Sequence, residues 1–219
     1  MSKQKTIILL LLALVFFIGN AEGVPTTDRR SAYSAEFIQI EGLPNLRKLS
    51  NDVYRSAQPT LEGMKNLKTM GIRTVINLRA FHSDRTVIGN TGLGSEDIHM
   101  IAWPLIPTEK QAIKSLRIVT DKKRTPVLIH CQHGADRTGT MCAVYRIIVQ
   151  GWTKEDAIRE MTEGGFGFHR AWGNQLVQWI NDLDIDKIKE KAGIEMNKVP
   201  LEFVGRVQRK SIFQEGNSM

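Results

Sequence analysis

The sequence predicts an α/β fold in which a central, mostly parallel sheet is flanked by helices. Short apolar or β-branched segments alternate along the chain with segments of helical periodicity, which is the pattern of successive β-α-β units. Several of the helical segments are followed by glycine, a residue that commonly ends a helix. At 219 residues, the chain has room for one such domain with a full core and does not require a second.

The first 23 residues have the three-part layout of a secretory signal peptide. Lys3 and Lys5 precede an apolar run over residues 7–18, and small residues follow it up to Gly23. The run has 12 residues, fewer than the ~18 that a membrane-spanning helix needs. We therefore expect an exported protein, periplasmic or secreted, with no stable membrane insertion after cleavage. A retained N-terminal anchor is the alternative.

The remaining chain divides into an arm, a domain and a tail. Residues 24–43 carry mixed polar and turn-forming side chains and predict an exposed N-terminal arm. The domain is expected over residues 44–190, and the charged residues 191–219 are expected to form a loosely held C-terminal tail.

The first β-α-β unit lies at the start of the domain. A short strand at 53–54 and a strand at 72–78 enclose a helical stripe that Thr60 is suited to cap and Gly71 to end. Residues 81–97 are rich in glycine and polar side chains and predict a long loop. The remaining predicted elements, in order, are a strand at 98–103, a helix at 108–120, the central strand and helix described next, and helices at 153–164 and 172–183.

The central strand is expected at residues 127–130, a short apolar segment that follows Pro126. From Thr138 the spacing becomes helical and continues to Gly151. Residues 131–137 therefore form a loop at a helix N-terminus. Unpaired N–H groups and the helix dipole make such a loop an anion-binding site.

Two side chains of this loop have complementary chemistry. The electropositive helix N-terminus favours the thiolate of Cys131 over the thiol. Arg137 follows with five residues between, so a loop wrapped around one phosphate brings its planar guanidinium to the phosphate oxygens. The pattern thus places a nucleophile and a clamp at one phosphorus atom.

These residues resemble a known signature. His130-Cys131, five further residues and Arg137-Thr138-Gly139 are similar to the motif of cysteine-dependent tyrosine and dual-specificity phosphatases. Segments 53–59, 75–79 and 164–169 also look like parts of bacterial members, and the resemblance covers roughly residues 45–190. It implies that 44–190 is a dual-specificity phosphatase-like domain. The implied activity is hydrolysis of phosphotyrosine, and also of phosphoserine or phosphothreonine, through a phosphocysteine intermediate.

The resemblance assigns roles within the loop. Cys131 attacks phosphorus, Thr138 donates a hydrogen bond to the sulfur, and His130 braces the loop, with a direct acid role as its alternative. The phosphoryl oxygens are bound by Arg137 and by the backbone N–H groups of Gln132, His133, Gly134, Ala135, Asp136 and Arg137. Arg79, at the end of a predicted strand, either attracts phosphate or is an ordinary surface charge, and His169 lies either at the pocket rim or on the surface.

The general acid is where the sequence departs from the family. Members usually supply an aspartate from a loop upstream of the cysteine, whereas residues 102–109 here contain none. Glu109 is the nearest carboxylate and the tentative acid, although a carboxylate in a helix's first turn is also favoured by the dipole alone. Asp97 and Asp84 are the alternatives.

The second cysteine, the net charge and the histidine spacing narrow the functions that the sequence allows. The second cysteine, Cys142, is expected to pack in the core rather than to form a disulfide with Cys131. The net charge of +7 suits an anionic substrate. The scattered basic residues do not predict nucleic-acid binding. No cofactor is implied, and the histidines lack paired metal-ligand spacing.

Two other functions stay open from the sequence. An inositol polyphosphate phosphatase is disfavoured because the loop carries Asp136 and no lysine, so its mouth would repel a ring bearing several phosphates. That argument weakens if Asp136 faces a helix-start N–H. A module that binds phosphoproteins without turnover is compatible with the missing aspartate. The expected partner of the enzyme is a phosphorylated protein.

Overall fold

The centre of the protein is a six-stranded sheet with the strand order β1-β2-β3-β6-β4-β5 in a computed structural model. The structure describes residues 34–101 and 106–195, all within one compact unit. The strands are β1 (Glu36–Phe37), β2 (Arg47–Lys48), β3 (Val53–Ser56), β4 (Thr74–Arg79), β5 (Gly94–Met100) and β6 (Val127–His130). β3, β6, β4 and β5 run parallel to one another, β2 pairs antiparallel with β3, and β1 pairs antiparallel with β2. The predicted α/β fold with a mostly parallel sheet is confirmed.

Helices cover both faces of this sheet. They are α1 (Leu61–Thr69), the short α2 (Arg85–Ile88) with the 3-10 turn Gly89–Thr91 after it, α3 (Glu109–Thr120), α4 (Asp136–Ile148), α5 (Lys154–Glu163), α6 (Arg170–Asp182) and α7 (Ile185–Ala192). Successive side chains of a strand point to opposite faces. In β6, Val127 and Ile129 pack in the core cluster that holds α3 and α4, while Leu128 packs with the cluster of α1. The central strand is thus buried on both faces.

Side-chain caps fix where several helices begin. Thr60 accepts a hydrogen bond from the backbone N–H of Gly63 at the start of α1. At the start of α3, the Thr108 hydroxyl accepts from the N–H of Gln111 while the Gln111 side chain accepts from the N–H of Thr108. This capping box satisfies two donors that a helix end otherwise leaves unpaired. The starts predicted for these two helices from their cap residues are confirmed.

The loop predicted over residues 81–97 is wrong in its second half. Residues 85–91 form helical turns, and β5 begins at Gly94 rather than at residue 98. The polar residues that suggested a loop have partners in the strand: Glu96 pairs with Arg124 at 2.7 Å, and Asp97 accepts from Asn77 at 3.2 Å. Tertiary pairing therefore overrides the weak strand propensity of these side chains. Residues 102–105 lie outside the described residues. They include the last two residues of the strand predicted at 98–103.

The N-terminal boundary of the domain also differs from the prediction. Residues 36–37, expected in an exposed arm, pair with β2, and Ala35 and Leu43 are buried. Residues 24–33 of the arm, the predicted signal peptide and residues 196–219 of the predicted tail lie outside the described residues. Among the helices that the structure describes, none has the length and apolar composition to cross a membrane.

Candidate active site

The loop of residues 131–137, here called the phosphate loop, joins β6 to α4 at the carboxyl ends of the parallel strands. Arg79 ends β4 and Met100 ends β5 at this same edge of the sheet. Ligands of open parallel sheets bind at this edge. Cys131 is the first residue of the loop and is only 3% exposed. Its thiol therefore lies at the floor of the loop.

The carbonyl groups of the phosphate loop are tied to donors outside it. The carbonyl of Gln132 accepts from the N–H of Gln58 at 3.2 Å, and that of His133 accepts from Asn45 Nδ2 at 3.2 Å. The carbonyl of Gly134 accepts from Arg55 Nη2 at 2.6 Å. These contacts fix three successive carbonyl groups of the loop to donors outside it.

Those N–H groups are available to a ligand. Within residues 34–101 and 106–195, no backbone N–H of residues 132–137 donates a hydrogen bond. Buried N–H groups rarely lack an acceptor. At the N-terminus of α4 they also carry the positive end of the helix dipole. The loop therefore offers unpaired N–H groups to an anion at the N-terminus of α4, directly after Cys131 in the chain.

Gly134 permits the close fit of this loop. Its φ is +69°, and a Cβ atom there would lie 2.6 Å from the backbone of Ser56 and Ala57. Only glycine tolerates both the left-handed conformation and the contact. The end of β3 thus supports the loop directly.

A buried arginine supports the loop from inside the core. Arg55 is 1% exposed, donates to the Gly134 carbonyl and places its guanidinium 3.8 Å from the centre of the Phe166 ring. Burial lowers the pKa of Arg55 below its ordinary value, and the nearby carboxylate of Glu160 opposes this in part. An arginine stays protonated in proteins, so a fixed positive charge lies in the core behind Cys131.

Arg137 and Thr138 are the second and third residues of α4. Arg137 is half-buried, and its Nη1 donates to the carbonyl of Met100 at 3.2 Å, so the guanidinium is held at the sheet edge rather than in solvent. The Thr138 hydroxyl is buried and has no hydrogen-bond partner in the part of the chain that the structure describes. A buried hydroxyl without a partner is available to a sulfur anion or a bound ligand.

His130 and Asp84 form a buried pair directly before Cys131. The Nε2 atom of His130 lies 2.5 Å from an oxygen of Asp84, and its Nδ1 atom lies 3.3 Å from the carbonyl of Cys131. Gln58 Nε2 donates to the other oxygen of Asp84 at 2.8 Å. Burial would raise the pKa of Asp84, but the hydrogen bonds and charge of its partners hold that pKa below its ordinary value. His130 thus contacts the backbone of the loop, the position in which it was expected to brace the loop.

Replacing Asp84 by alanine is expected to lower the free energy of unfolding by about 3 kcal/mol at pH 7, because His130 then loses its buried acceptor. The depressed pKa of Asp84 fixes the pH dependence: a carboxylate of this kind stabilises above its ordinary pKa of 3.8, and the effect is lost as the pH falls through the folded pKa. Urea unfolding of both proteins at pH 7 and pH 3 measures this. Equal stability at pH 7 would contradict it.

The three carboxylates considered as the general acid all have partners. Asp84 is fully buried beneath His130. Asp97 accepts from Asn77 and from Ser83 Oγ at 3.3 Å. Glu109 pairs with Lys187 at 2.8 Å and Lys191 at 3.9 Å, and its hydrogen bond raises the pKa of Lys187. These ion pairs direct the Glu109 carboxylate to α7.

The rim of the phosphate loop carries a carboxylate-imidazole pair. Asp136 accepts from the backbone N–H of His169 at 3.0 Å and lies 2.7 Å from its Nδ1 atom. His169 is the N-cap residue of α6, so Asp136 faces a helix-start N–H, and the repulsion expected for a polyphosphate substrate is weaker. The ring of His169 stacks on Trp172 at 5.5 Å and lies 5.7 Å from the ring of His133. His169 therefore lies at the pocket rim, the first of the two positions considered for it.

Trp172 is the first residue of the apolar stripe that helical spacing gives α6, but it does not lie in the core. It is 50% exposed in the first turn of α6, whereas Leu176 and Ile180 of the same helix are buried. Helical periodicity identifies the apolar face of a helix. It does not show whether the first turn of that face packs against another element or is exposed to solvent.

Both cysteines are free, and Cys142 packs in the core as expected. Burial raises the pKa of Cys142 to about 11, so this thiol stays protonated near neutral pH. Among the described residues, no group of three or more His, Cys, Asp or Glu side chains is placed to hold a metal ion.

The side chains that hold the phosphate loop from elsewhere in the chain were not predicted from the sequence. These are Asn45, Arg55, Gln58 and the pairing of Asp136 with His169. A signal was available for Arg55, since an arginine between Val53 and Ser56 in a buried strand needs internal acceptors. The other contacts join residues far apart in sequence and leave no local pattern.

Comparisons with known proteins agree with this geometry. The family model described as DSP-PTPase phosphatase fused to NAD+ kinase matches residues 37–177. The dual specificity protein phosphatase TpbA of Pseudomonas aeruginosa PAO1 is 34% identical over 166 residues, which cover 72% of either chain. For TpbA of strain UCBPP-PA14, the aligned 127 residues cover 56% of either chain. The inositol diphosphatase DSP5 of Arabidopsis thaliana is 27% identical over 80% of this chain and 85% of its own.

A solved structure extends the similarity to three dimensions. A crystal structure of P. aeruginosa TpbA in complex with pTyr has a TM-score of 0.65 and 28% identity, and covers 76% of this chain and 99% of that chain. The matched family model spans more than half of this chain. The chain therefore belongs to the cysteine-dependent dual-specificity phosphatases, a family of phosphoric monoester hydrolases.

Proposed function

We propose that the protein hydrolyses phosphotyrosine in protein substrates through a phosphocysteine intermediate on Cys131. The observation that carries this proposal is the cradle of N–H groups over Cys131, none of which has an acceptor within the described residues. A thiolate there attacks phosphorus in line with the leaving oxygen, and the N–H groups and Arg137 stabilise the charge on the other three oxygens. Water then hydrolyses the thiophosphate.

Three side chains assist in this proposal. Arg137 leaves the Met100 carbonyl for two phosphate oxygens, a bidentate contact that its planar fork favours. The unpartnered Thr138 hydroxyl donates to the sulfur as it leaves in the second step. His130 holds the Cys131 carbonyl and so fixes the loop. Glu109 is not retained as the acid, because its carboxylate is paired with Lys187.

The substrate preference is argued from the mouth of the loop. Between Cys131 and Arg137 there is no lysine or arginine, and Asp136 adds a carboxylate at the rim. The aromatic rings of His169 and Trp172 lie beside it. A neutral, flat phenyl ring suits such a rim better than a ring with several phosphates. TpbA, whose solved complex contains pTyr, supports the same choice.

An inositol polyphosphate is the second candidate substrate, because the relative DSP5 is named an inositol diphosphatase. Phosphate release measurements distinguish a phosphoprotein substrate from an inositol polyphosphate. The substrates compared are a phosphotyrosine peptide, a phosphoserine peptide and an inositol polyphosphate with a diphosphate group, at one salt concentration and with a chelator present. We expect the phosphotyrosine peptide to have the highest kcat/KM. A higher kcat/KM for the inositol substrate would replace the proposal, and binding of the peptide without release would favour a non-catalytic module.

We also propose that the protein is exported and that residues 1–23 are removed. The support is the sequence of the leader, with Lys3 and Lys5 before an apolar run of 12 residues. Cell fractionation combined with mass determination of the N-terminus tests this. An uncleaved chain in the membrane fraction would show that the leader is an anchor instead.

A further inference from the structure

The proposed reaction needs a proton for the leaving oxygen, and the usual aspartate is missing from residues 102–109. Asp84, Asp97 and Glu109 are each engaged by other groups. Two imidazole rings lie at the rim of the phosphate loop, those of His133 and His169, and of these the His169 ring is held by a carboxylate, that of Asp136.

We infer that His169 is the general acid and base of this phosphatase and that Asp136 orients it. This inference rests on the proposed function. Asp136 lies between the cradle and Arg137 in the chain, so a group bound to its side chain lies next to the bound phosphate. His169 contacts the loop at two points, with its backbone and ring on Asp136 and its ring near that of His133.

The hydrogen bonds fix the tautomer of His169. An ionised carboxylate only accepts, so the Nδ1 atom of His169 carries a hydrogen and donates it to Asp136 at 2.7 Å. The Nε2 atom is then the site that gains and loses a proton. It has no hydrogen-bond partner in the described parts of the chain, and the side chain is 36% exposed. This is the arrangement in which a carboxylate orients a catalytic imidazole.

Titratable and aromatic groups surround the His169 ring on several sides. Asp136 faces it from α4, and His133 faces it from the loop. On its own helix, Arg170 is paired with Glu163 of α5 at 3.8 Å, and Trp172 stacks on the ring. The Asp136 carboxylate is therefore the negative charge in contact with the ring.

The proton then balances over both steps. Cys131 Sγ forms a bond to phosphorus, the bond from phosphorus to the leaving oxygen breaks, and that oxygen takes its electron pair and the proton of His169 Nε2. In the second step, water gives a proton to the neutral Nε2 and its oxygen bonds to phosphorus. The S–P bond breaks, which returns the Cys131 thiolate and the His169 imidazolium.

Leaving-group dependence tests this inference in the full-length protein. Phenyl phosphate needs a proton on its leaving oxygen, whereas p-nitrophenyl phosphate leaves well without one. His169→Gln and His169→Phe are both expected to lower kcat/KM for phenyl phosphate about 100-fold, which is the range of general acid catalysis. For p-nitrophenyl phosphate, the loss should stay below about 5-fold, since the acid contributes little there.

The pH profile provides the second readout. For phenyl phosphate, kcat/KM of the unmodified protein should have a limb that falls as the pH rises, because a general acid must carry its proton. This limb should be absent in His169→Gln, and Asp136→Asn should move it to lower pH because the negative charge that favours imidazolium is gone.

Each contrary result has a distinct meaning. Equal losses for both substrates would make His169 structural, and full phenyl phosphate activity in His169→Phe would make it a stacking platform; either overturns the inference while leaving the proposed function intact. If the unmodified protein does not turn over p-nitrophenyl phosphate, the proposed function fails and the inference fails with it.

Discussion

Replacing Cys131 by serine is expected to abolish turnover, with a loss in kcat on the order of 10⁵-fold, the scale seen when a covalent nucleophile is removed. The hydroxyl of serine is not ionised near neutral pH, so it does not attack phosphorus even though the cradle is intact. Steady-state hydrolysis of p-nitrophenyl phosphate measures kcat. The affinity for inorganic phosphate is measured by its inhibition of the residual reaction or directly by calorimetry. Phosphate affinity should change little.

Cys142→Ser is the matched control for this prediction. Cys142 lies in the core, and burial raises its pKa to about 11, so it supplies no thiolate near neutral pH. Turnover should stay within about 3-fold of the unmodified protein, with at most a modest loss of stability of about 1 kcal/mol. If the two serine variants lose activity equally, the reaction does not depend on the position of Cys131 in the loop.

Replacing Arg137 by lysine is expected to lower kcat about 10³-fold while the KM for p-nitrophenyl phosphate changes far less. Lysine keeps the charge but loses the planar fork that contacts two equatorial oxygens, and these oxygens gain their charge in the transition state. The interaction lost is therefore one that is strongest in the transition state, which appears in kcat.

Arg79→Lys provides the comparison for Arg137. Arg79 also lies at the sheet edge, but its Nη1 donates to the side chain of Gln58 at 2.8 Å. If Arg79 only attracts the anion, its replacement raises KM and leaves kcat within about 3-fold. A loss in kcat as large as that of Arg137→Lys would mean that Arg79, rather than Arg137, contacts the transferring phosphoryl group.

The position of the phosphate loop could be predicted from the sequence because the pattern that specifies it is local. A strand over residues 127–130, a helix after it and the residues Cys131 and Arg137 between them fix one loop, and the structure has that strand unchanged. The boundary of the helix differs by two residues, since α4 begins at Asp136 rather than Thr138. Helix ends are the least certain part of such a prediction.

The contacts that hold the phosphate loop could not be predicted from the sequence, because they join residues far apart in the chain. Arg55 reaches Gly134 from 79 positions away, and Asp84 reaches His130 from 46 positions away. Asp136 and His169 are 33 positions apart and meet only because α6 packs beside the start of α4. The same reason explains why β5 was predicted too short, since Glu96 and Asp97 are stabilised by partners on other elements.

The most direct test of the account is to trap the covalent intermediate. The full-length protein is mixed with p-nitrophenyl phosphate, quenched in acid within one turnover, digested and examined by mass spectrometry, with Cys131→Ser treated in parallel. The account predicts a phosphoryl group on Cys131 of the unmodified protein and none on the variant. A phosphoryl group on His133 or His169, or steady turnover with no phosphorylated cysteine at any quench time, would contradict it.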